Sequence, residues 1–166
     1  IGDDRDDWMT VIPERYKDIE YYDYIARYRH KCFNLIPQEF RTKKLYDIAI
    51  VSSPTNLQYV PDRYMSYKNC FYCVTMNSEC IQWVPHDMLN EEICLISLHN
   101  NVNNFEHLKD WRNPTCDRYA LLKDGSLIRY INRRDRSVTL WTFALKHTSL
   151  LQILTMMKLE YCELNP

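Results

Sequence analysis

Polar breaks divide the chain into short apolar segments that return at a nearly constant interval. A five-residue element with a hydrophobic first residue begins at Met9, Phe33, Leu57, Ile81, Phe105, Ile128 and Leu151. The intervals between these anchor positions are 24, 24, 24, 24, 23 and 23 residues. The first four copies read MTVIP, FNLIP, LQYVP and IQWVP, and the later three lack the proline. A fixed period of this length is the signature of a repeat architecture.

Each of the last six copies also has a helix-capping residue at a fixed distance before its anchor. The residues fifteen positions before the anchor, or fourteen in the last copy, are Asp18, Thr42, Ser66, Asn90, Asn113 and Ser137. A short side-chain oxygen at such a position accepts a hydrogen bond from the first turn of a helix. Pro114, directly after Asn113, suits the first helical position. The sequence therefore predicts a helix start at each of these residues.

Behind each cap, apolar residues recur with helical spacing over about ten residues. The predicted inward faces are Tyr22, Ile25 and Ala26; Leu45, Ile48 and Ala49; Cys70, Cys73 and Val74; Ile93, Ser97 and Leu98; Tyr119, Ala120 and Leu121; and Phe143, Ala144 and Leu145. One position is small in five consecutive copies, namely Ala49, Cys73, Ser97, Ala120 and Ala144. Small residues there predict a close approach between helices. Polar pairs such as Asn77-Ser78 and Asp124-Gly125 are predicted to end the helices.

The second segment of each copy is shorter, and in four copies it contains the proline. The anchor and the residue three positions later, such as Leu57 and Val60, face one side of a single turn. Proline disfavours a helical conformation at the residue before it and suits the first position of a new turn. We therefore predict two turns that meet at a kink at Pro61. Copies with Lys109, Asn132 or Thr155 in place of the proline are expected to run straighter.

A repeat this short cannot bury its apolar face alone, so neighbouring copies must stack. The predicted fold class is all-α, a short α-solenoid of tandem helix-turn-helix repeats of 23–24 residues. We expect a single helical-repeat domain over residues 1–166, with copies at about 1–17 (partial), 18–41, 42–65, 66–89, 90–112, 113–136 and 137–166. Because the first copy lacks a leading helix, we expect that the array continues or that partners cover its ends.

Composition and charge exclude several classes of protein. Lys and Arg total 21 against 22 for Asp and Glu, so the net charge of −1 creates no global field that would attract nucleic acid. The only glycines, Gly2 and Gly125, exclude a glycine-rich phosphate loop and a dinucleotide-binding fingerprint. No apolar run approaches the roughly 18 residues of a membrane span, so no membrane partner is expected. Seven cysteines without a disulfide-framework spacing predict free thiols and an intracellular location.

The segments KKLYDIAIVSSPTNLQYVPDRYMS and YKNCFYCVTMNSECIQWVPHDMLN resemble a known family of tandem repeats. The family has repeats of about two dozen residues and abounds in giant DNA viruses of amoebae, with members in some protists and intracellular bacteria. The similarity is best from Asp18 to Asn90, and YALLKDGSLIRYI continues it. This resemblance implies a helical array without known catalysis, and a viral protein in the host cytoplasm or the virion.

No group of residues is predicted to catalyse a reaction, bind a metal or hold a cofactor. Cys70 and Cys73 in CFYC have the spacing of a zinc or redox pair but lack a second pair, so we expect them to pack in the core. The acidic run from Asp3 to Asp7 is expected to be a solvated arm. The five histidines are spread over four copies, mostly near helix ends, where solvation is expected: His30, His86, His99, His107 and His147.

Two groups of residues are candidates for binding a partner. The first is a column two residues after the anchors, formed by Leu35, Tyr59, Trp83, His107 and Tyr130. A solenoid presents one residue per repeat along a shared surface, so Tyr59, Trp83, His107 and Tyr130 predict a partner-binding surface. Half-burial of the column between helical layers is the competing interpretation.

The second group is the basic cluster Arg129, Arg133, Arg134 and Arg136. It could hold phosphates while Tyr130 stacks on a base, and a solvated face is the competing interpretation because Asp135 interrupts it. The leading hypothesis is a non-enzymatic scaffold that binds another protein, or neighbouring repeats of a larger assembly. A nucleic-acid-binding repeat is the alternative, and a thiol- or metal-dependent enzyme is a third.

Overall fold

The computed structural model describes residues 11–111 and 113–149, and over these residues the fold is all-α, without a strand. The α-helices are α1 (Ile19–Tyr28), α2 (Lys43–Ser52), α3 (Tyr67–Met76), α4 (Glu91–Asn100), α5 (Pro114–Lys123) and α6 (Val138–Lys146). Each has 10 residues except α6, which has 9. The predicted helix length is therefore confirmed. None of the helices in these ranges has the length and hydrophobicity needed to cross a bilayer.

The second segment of each described copy is also helical, but it forms 3-10 helices rather than α-helices. The longer 3-10 helices are His30–Leu35, Pro54–Tyr59, Ser78–Trp83, Val102–Leu108 and Gly125–Tyr130. Short 3-10 helices of three residues lie at Glu14–Tyr16, Gln38–Phe40, Asp62–Tyr64, His86–Met88 and Arg133–Asp135. Three residues per turn bring the anchor and the residue three positions later to the same side, as the sequence pattern predicts.

The chain divides into two compact units, unit 1 (Ile1–Cys80) and unit 2 (Ile81–Pro166). In unit 1, α1 packs against α2, and the 3-10 helix Pro54–Tyr59 packs against α2 and α3. In unit 2, α4 packs against α5, α5 packs against α6, and Gly125–Tyr130 packs against α5 and α6. Neighbouring copies therefore pack together within each unit. A single solenoid domain over residues 1–166 stays a prediction.

The six predicted N-caps are all formed. The accepting side chains are Asp18, Thr42, Ser66, Asn90, Asn113 and Ser137. In each case the donor is a backbone N–H of the first turn; Ile93 N, for example, donates to Asn90 Oδ1 over 2.9 Å. Asn113 Oδ1 accepts from both Thr115 N and Cys116 N. The caps place the helix starts where the sequence predicts them.

The predicted column of small residues lies in the core. Ala49, Cys73, Ser97, Ala120 and Ala144 are all 0% exposed. The first four also accept a hydrogen bond, at 2.8–2.9 Å, from the backbone N–H that ends the helix four residues later. The polar residues at these ends then cap the next element: the side chains of Asn77, Asn101 and Asp124 each accept from the backbone N–H two residues on. The predicted helix ends are confirmed.

Pro37, Pro61 and Pro85 each lie between two 3-10 helices, where the sequence predicts a kink between two turns. Val60 (φ −80°, ψ 121°) and Pro61 (φ −64°, ψ 146°) are both extended, and Asp62–Tyr64 begins only after Pro61. Val60 N donates to the carbonyl of Leu57 over 3.1 Å, and Tyr64 N donates to the carbonyl of Pro61 over 2.8 Å. The two predicted turns are therefore formed, and Pro61 is the first residue of the second turn.

The copies without proline differ from one another. Lys109 is helical (φ −54°, ψ −34°), and Val102–Leu108 is one residue longer than the other long 3-10 helices, so the backbone is not extended at the proline position of this copy. Asn132 (φ −57°, ψ 138°) adopts the same conformation as the prolines and precedes a short 3-10 helix. For Asn132 the expectation is wrong, because an asparagine reaches the extended region without needing a ring. Thr155 lies outside the described residues.

Gly125 is required by a close approach between Gly125–Tyr130 and α6. Its N–H donates to the carbonyl of His147 over 3.1 Å. A Cβ at this position would collide with the carbonyl oxygen of Ala144. Only glycine allows the two backbones to come this close.

Candidate interaction surface

The predicted partner-binding column lies at the C-terminal ends of the longer 3-10 helices. Leu35, Tyr59, Trp83 and Tyr130 are the last residues of their helices, and His107 is the next to last. The anchors two residues earlier are buried: Phe33, Leu57, Ile81, Phe105 and Ile128. With three residues per turn, the anchor and the residue three later face the core, so the column residue between them is directed outward.

The exposure of the column residues is mixed, and three of the five have the half-burial that the competing interpretation expects. Leu35 is 43% exposed, His107 is exposed, and Tyr59, Trp83 and Tyr130 are half-buried. Leu35 and Tyr59 belong to unit 1, and the other three belong to unit 2. A half-buried ring packs one side on the protein and presents the other to solvent. Aromatic side chains held in this way lose little conformational entropy on binding a partner.

In unit 2 a polar network joins the column residues of two copies. The hydroxyl of Tyr130 donates to Glu106 Oε2 over 3.0 Å, and His107 Nε2 lies 3.6 Å from Glu106 Oε1. The Arg129 guanidinium lies 4.8 Å from the centroid of the Tyr130 ring. In unit 1 the ring of Tyr59 packs on Phe33, with 6.1 Å between centroids. These contacts fix the orientation of both tyrosine rings.

The basic cluster separates into exposed and engaged residues. Arg129, Arg133 and Arg134 are exposed, whereas Arg136 is half-buried. Arg136 donates from Nε to the carbonyl of Ile131 over 2.8 Å and from Nη2 to the carbonyl of Arg129 over 3.1 Å. Its guanidinium therefore binds the C-terminal carbonyls of the preceding 3-10 helix.

Arg41 makes the same contacts in unit 1. Its Nε donates to the carbonyl of Ile36 over 2.7 Å and its Nη2 to that of Asn34 over 2.8 Å. Arg41 and Arg136 both lie eight residues after an anchor. We call this pair of contacts the arginine clamp. It satisfies carbonyls at the end of a 3-10 helix that have no partner within it.

The described cysteines lie in the core. Cys32, Cys70, Cys73, Cys80, Cys94 and Cys116 are buried and form no disulfide. Burial raises the pKa of Cys73 and of Cys80 to about 12, so these thiols stay protonated at neutral pH. A hydrogen bond with Cys116, together with burial, raises the pKa of Cys94 above its usual range. Core packing of Cys70 and Cys73 is confirmed, while Cys162 and the acidic run Asp3–Asp7 lie outside the described residues.

The described histidine side chains lie at the surface, as predicted. His86, His99, His107 and His147 are exposed. His86 Nε2 lies 3.2 Å from the carbonyl of Asp110, and His99 Nδ1 lies 3.0 Å from the hydroxyl of Tyr119. The side chain of His30 is not among those described. Over the described residues, no three His, Cys, Asp or Glu side chains meet in a group that could hold a metal ion.

Sequence reasoning missed a second apolar column, six residues after each N-cap. Its members are Tyr24, Ile48, Tyr72, Ile96, Tyr119 and Phe143, and all are exposed or half-buried. Helical spacing predicted that Ile48, Tyr119 and Phe143 of this column, and also Leu145, face the core. Leu145 is exposed, so the prediction is wrong for that residue. The repeat frame could have shown that a large residue recurs at this position.

A groove of about 460 Å³ lies between α1 and α2, beside the second apolar column. It is lined in part by Arg27, Lys44 and Val51.

A second cavity, of about 610 Å³, lies between α5 and α6 in unit 2. Asp117 and Asp135 are among its lining residues. Neither aspartate was a sequence candidate. The sequence does mark Asp117 as unusual, because the residues at the same position in the other copies are aromatic residues or cysteines: Tyr22, Tyr46, Cys70, Cys94 and Trp141.

Comparison with known proteins found no matching family model, no matching curated protein and no matching solved structure. The resemblance to the repeats of giant viruses therefore stays a prediction.

Proposed function

We propose that the chain is a non-enzymatic helical-repeat scaffold that binds another protein through Tyr59, Trp83, His107 and Tyr130. The observation that supports it is one register position, at or next to the end of each longer 3-10 helix, that holds a half-buried or exposed and mostly aromatic residue two positions after a buried anchor. Tyrosine and tryptophan are enriched among the residues that dominate the energy of protein interfaces. Within each unit, the repeat would offer a partner the same kind of contact more than once.

The chemistry of the described residues supports a binding role over thiol catalysis. A catalytic cysteine needs a thiolate near neutral pH and access for its substrate. Cys73 and Cys80 are 0% exposed, and their pKa values of about 12 keep them protonated. The described histidines are exposed, whereas the cysteines are in the core, so a Cys–His pair is disfavoured.

Quantitative capture with a double variant tests this proposal. Tyr59→Ala with Tyr130→Ala should lose the proteins that the wild type captures, while its helical circular dichroism is retained. The matched control is Tyr24→Ala with Tyr28→Ala, which removes two exposed tyrosines that are not part of the predicted partner-binding column. Equal loss from both variants, or no loss from the column variant, would contradict the proposal.

A second candidate function is binding of a polynucleotide by exposed Arg129, Arg133 and Arg134 beside Tyr130. Phosphate contacts release counterions, so this binding should fall steeply with salt and weaken in Arg133→Ala with Arg134→Ala. Lys43→Ala with Lys44→Ala removes the same charge from exposed positions elsewhere and is the control. Salt-insensitive binding, or equal loss in both variants, would contradict this candidate.

The resemblance to giant-virus repeats supports a place in a large viral assembly inside the host cell or in the virion. Free cysteines in the described core are consistent with such a reducing location. Detection of the chain in purified virions, or in the soluble fraction of infected host cells, tests this part of the proposal. Its recovery only from the culture medium would contradict it.

A further inference from the structure

Successive α-helices within each unit contact one another through fixed register positions. Asp47, five residues after its N-cap in α2, accepts over 3.0 Å from Nδ2 of Asn69, three residues after its N-cap in α3. His99 of α4, nine residues after its N-cap, lies with Nδ1 3.0 Å from the hydroxyl of Tyr119, which is the α5 member of the second apolar column. We call the side that carries Asp47 and His99 the forward side of a helix, and the side that carries Asn69 and Tyr119 the backward side.

The backward side of α1 is open over the described residues. Its member of the second apolar column, Tyr24, is 53% exposed. Tyr28, one turn later on the same side, is 66% exposed, and its ring packs on that of Tyr24 with 4.9 Å between centroids. The other members of the second apolar column are half-buried: Ile48, Tyr72, Ile96, Tyr119 and Phe143. Tyr24 and Tyr28, which we call the α1 face, therefore form an apolar surface where other helices contact a predecessor.

At α6 an apolar surface is open on another side. Leu145, eight residues after the N-cap Ser137, is 43% exposed, although the adjacent Ala144 is 0% exposed. The residues at the position of Leu145 in the five preceding helices are at most 2% exposed: Ala26, Ile50, Val74, Leu98 and Leu121. Val138, seven residues before Leu145, is 81% exposed. We call Val138 and Leu145 the α6 face.

The α6 face belongs to the forward side of its helix. Glu91, which holds the position of Val138 in α4, accepts from Asn113 Nδ2 of the following helix over 3.2 Å. Leu145 lies about two helical turns after Val138 and therefore on the same side. Because α6 packs against α5, its open side is the one directed away from the preceding copy.

The α1 face and the α6 face are complementary. A repeat array that ends in solution needs terminal copies with a polar outer face, because apolar surface is unfavourable in water. Both faces are apolar instead. In the contacts between α2 and α3 and between α4 and α5, a forward side meets a backward side. The α6 face and the α1 face provide one side of each kind, so they are the two halves of a contact that the repeat already forms.

The same register also brings compatible polar groups together. In the contact between α4 and α5, the residue nine positions after the N-cap, His99, meets Tyr119. The residue at that position in α6 is exposed Lys146, and its counterpart on α1 is Tyr24. An ammonium group over a tyrosine ring is a favourable contact. Unit 2 already contains one, since Lys123 Nζ lies 5.6 Å from the centroid of the Tyr119 ring.

We propose that the α6 face of one molecule binds the α1 face of a second copy of this chain. Each bound molecule keeps one free face, so the contact repeats head to tail and produces an open filament or a closed ring. A contact between two α1 faces would pair two backward sides, unlike the contacts within the units, and would stop at a dimer. Neither face contains a residue of the partner-binding column, so this proposal does not rest on the proposed scaffold function.

Sedimentation velocity of the full chain over a series of concentrations tests the proposal. A reductant is present, so disulfides between chains do not contribute. We expect the wild type to form dimers and larger species as the concentration rises, because association must offset the loss of translational and rotational freedom.

Each face has its own variant. Tyr24→Ala with Tyr28→Ala removes the α1 face, and Val138→Ala with Leu145→Ala removes the α6 face. Each variant should weaken self-association by about tenfold or more, because apolar anchors of the contact are lost. All four residues are exposed, so both variants should keep the helical circular dichroism of the wild type.

Two controls separate this contact from other surfaces. Met76→Ala with Leu122→Ala removes exposed apolar residues from α3 and α5 and should associate like the wild type. Tyr59→Ala with Tyr130→Ala changes the partner-binding column and should also associate like the wild type. The α1-face variant should lose self-association and still capture other proteins. Failure of self-association is therefore distinguishable from failure of the proposed scaffold function.

Mixing the two face variants tests the head-to-tail direction. Each variant lacks one face, but the mixture contains one intact α1 face and one intact α6 face. We therefore expect a 1:1 complex that does not grow further. Recovery of binding in the mixture also shows that both variants are folded.

Four results would overturn the proposal. The first is a wild type that stays monomeric at every concentration. The second is a loss of association in Met76→Ala with Leu122→Ala as large as in the face variants. The third is a discrete dimer of the α6-face variant alone, which would identify a contact between two α1 faces. The fourth is a mixture of the two face variants without a complex.

Discussion

Single side chains of this protein have roles that depend on their register position as well as on their chemistry. Arg134 and Arg136 are two residues apart, yet Arg134 is exposed and Arg136 forms the arginine clamp. In the sequence both belong to one basic cluster. Arg136 and Arg41 both lie eight residues after an anchor. This shared position could have indicated from the sequence that Arg136 donates to carbonyl groups, as Arg41 does.

Removing the clamp should destabilise the protein. Arg136→Ala leaves the carbonyls of Ile131 and Arg129 without their guanidinium donor, which should cost about 1 to 3 kcal/mol of unfolding free energy. Urea unfolding measures the change. Arg134→Ala is the control, with an expected effect within about 0.5 kcal/mol because its side chain is exposed. Equal effects of the two substitutions would mean that the clamp contributes nothing.

The buried thiols should resist modification in the folded protein. The pKa values of Cys73 and Cys80 are raised to about 12 by burial, so at pH 8 these groups are protonated as well as covered. In a Cys162→Ser variant, a disulfide reagent should react slowly with the native chain and rapidly with all six remaining cysteines in denaturant. Rapid reaction of the native variant would contradict the described core.

At the scale of the helices, local chemistry determines where each element begins. An N-cap needs only a short side chain and the free amides of the next turn, so a fixed spacing in the sequence was enough to place it. Ser66→Ala and Asn90→Ala should each cost about 1 kcal/mol. Thermal or urea unfolding measures this loss. No loss in either variant would contradict the hydrogen bonds from Asn69 N and Ile93 N.

The helices also show which features sequence patterns could not supply. Apolar spacing cannot distinguish a 3-10 turn from an α turn over six residues, so the type of the second segments was not predicted. Asn132 adopts a proline-like conformation although it has no ring. Whether Leu145 is covered depends on packing between elements, and a single helix pattern does not contain that information.

At the scale of the whole molecule, the repeat predicted the all-α class because short copies must bury their apolar faces on neighbours. The two compact units were not predicted, since the period continues across Cys80 and Ile81. The cavity between α5 and α6 was also missed. Asp117 differs from the equivalent residues of the other copies, but only the structure shows that Asp117 and Asp135 line one cavity.

The central claim is that the column binds a partner, and one Trp83→Ala sample tests it when melting and partner capture are both measured. Trp83 is half-buried at the end of its 3-10 helix. We expect capture to weaken by about 2 kcal/mol or more with little change in melting temperature, as truncation of an interface anchor does. Leu122→Ala, which removes an exposed apolar residue outside the column, should leave capture unchanged. A loss of stability of about 3 to 5 kcal/mol would instead identify Trp83 as a core residue and contradict the binding surface.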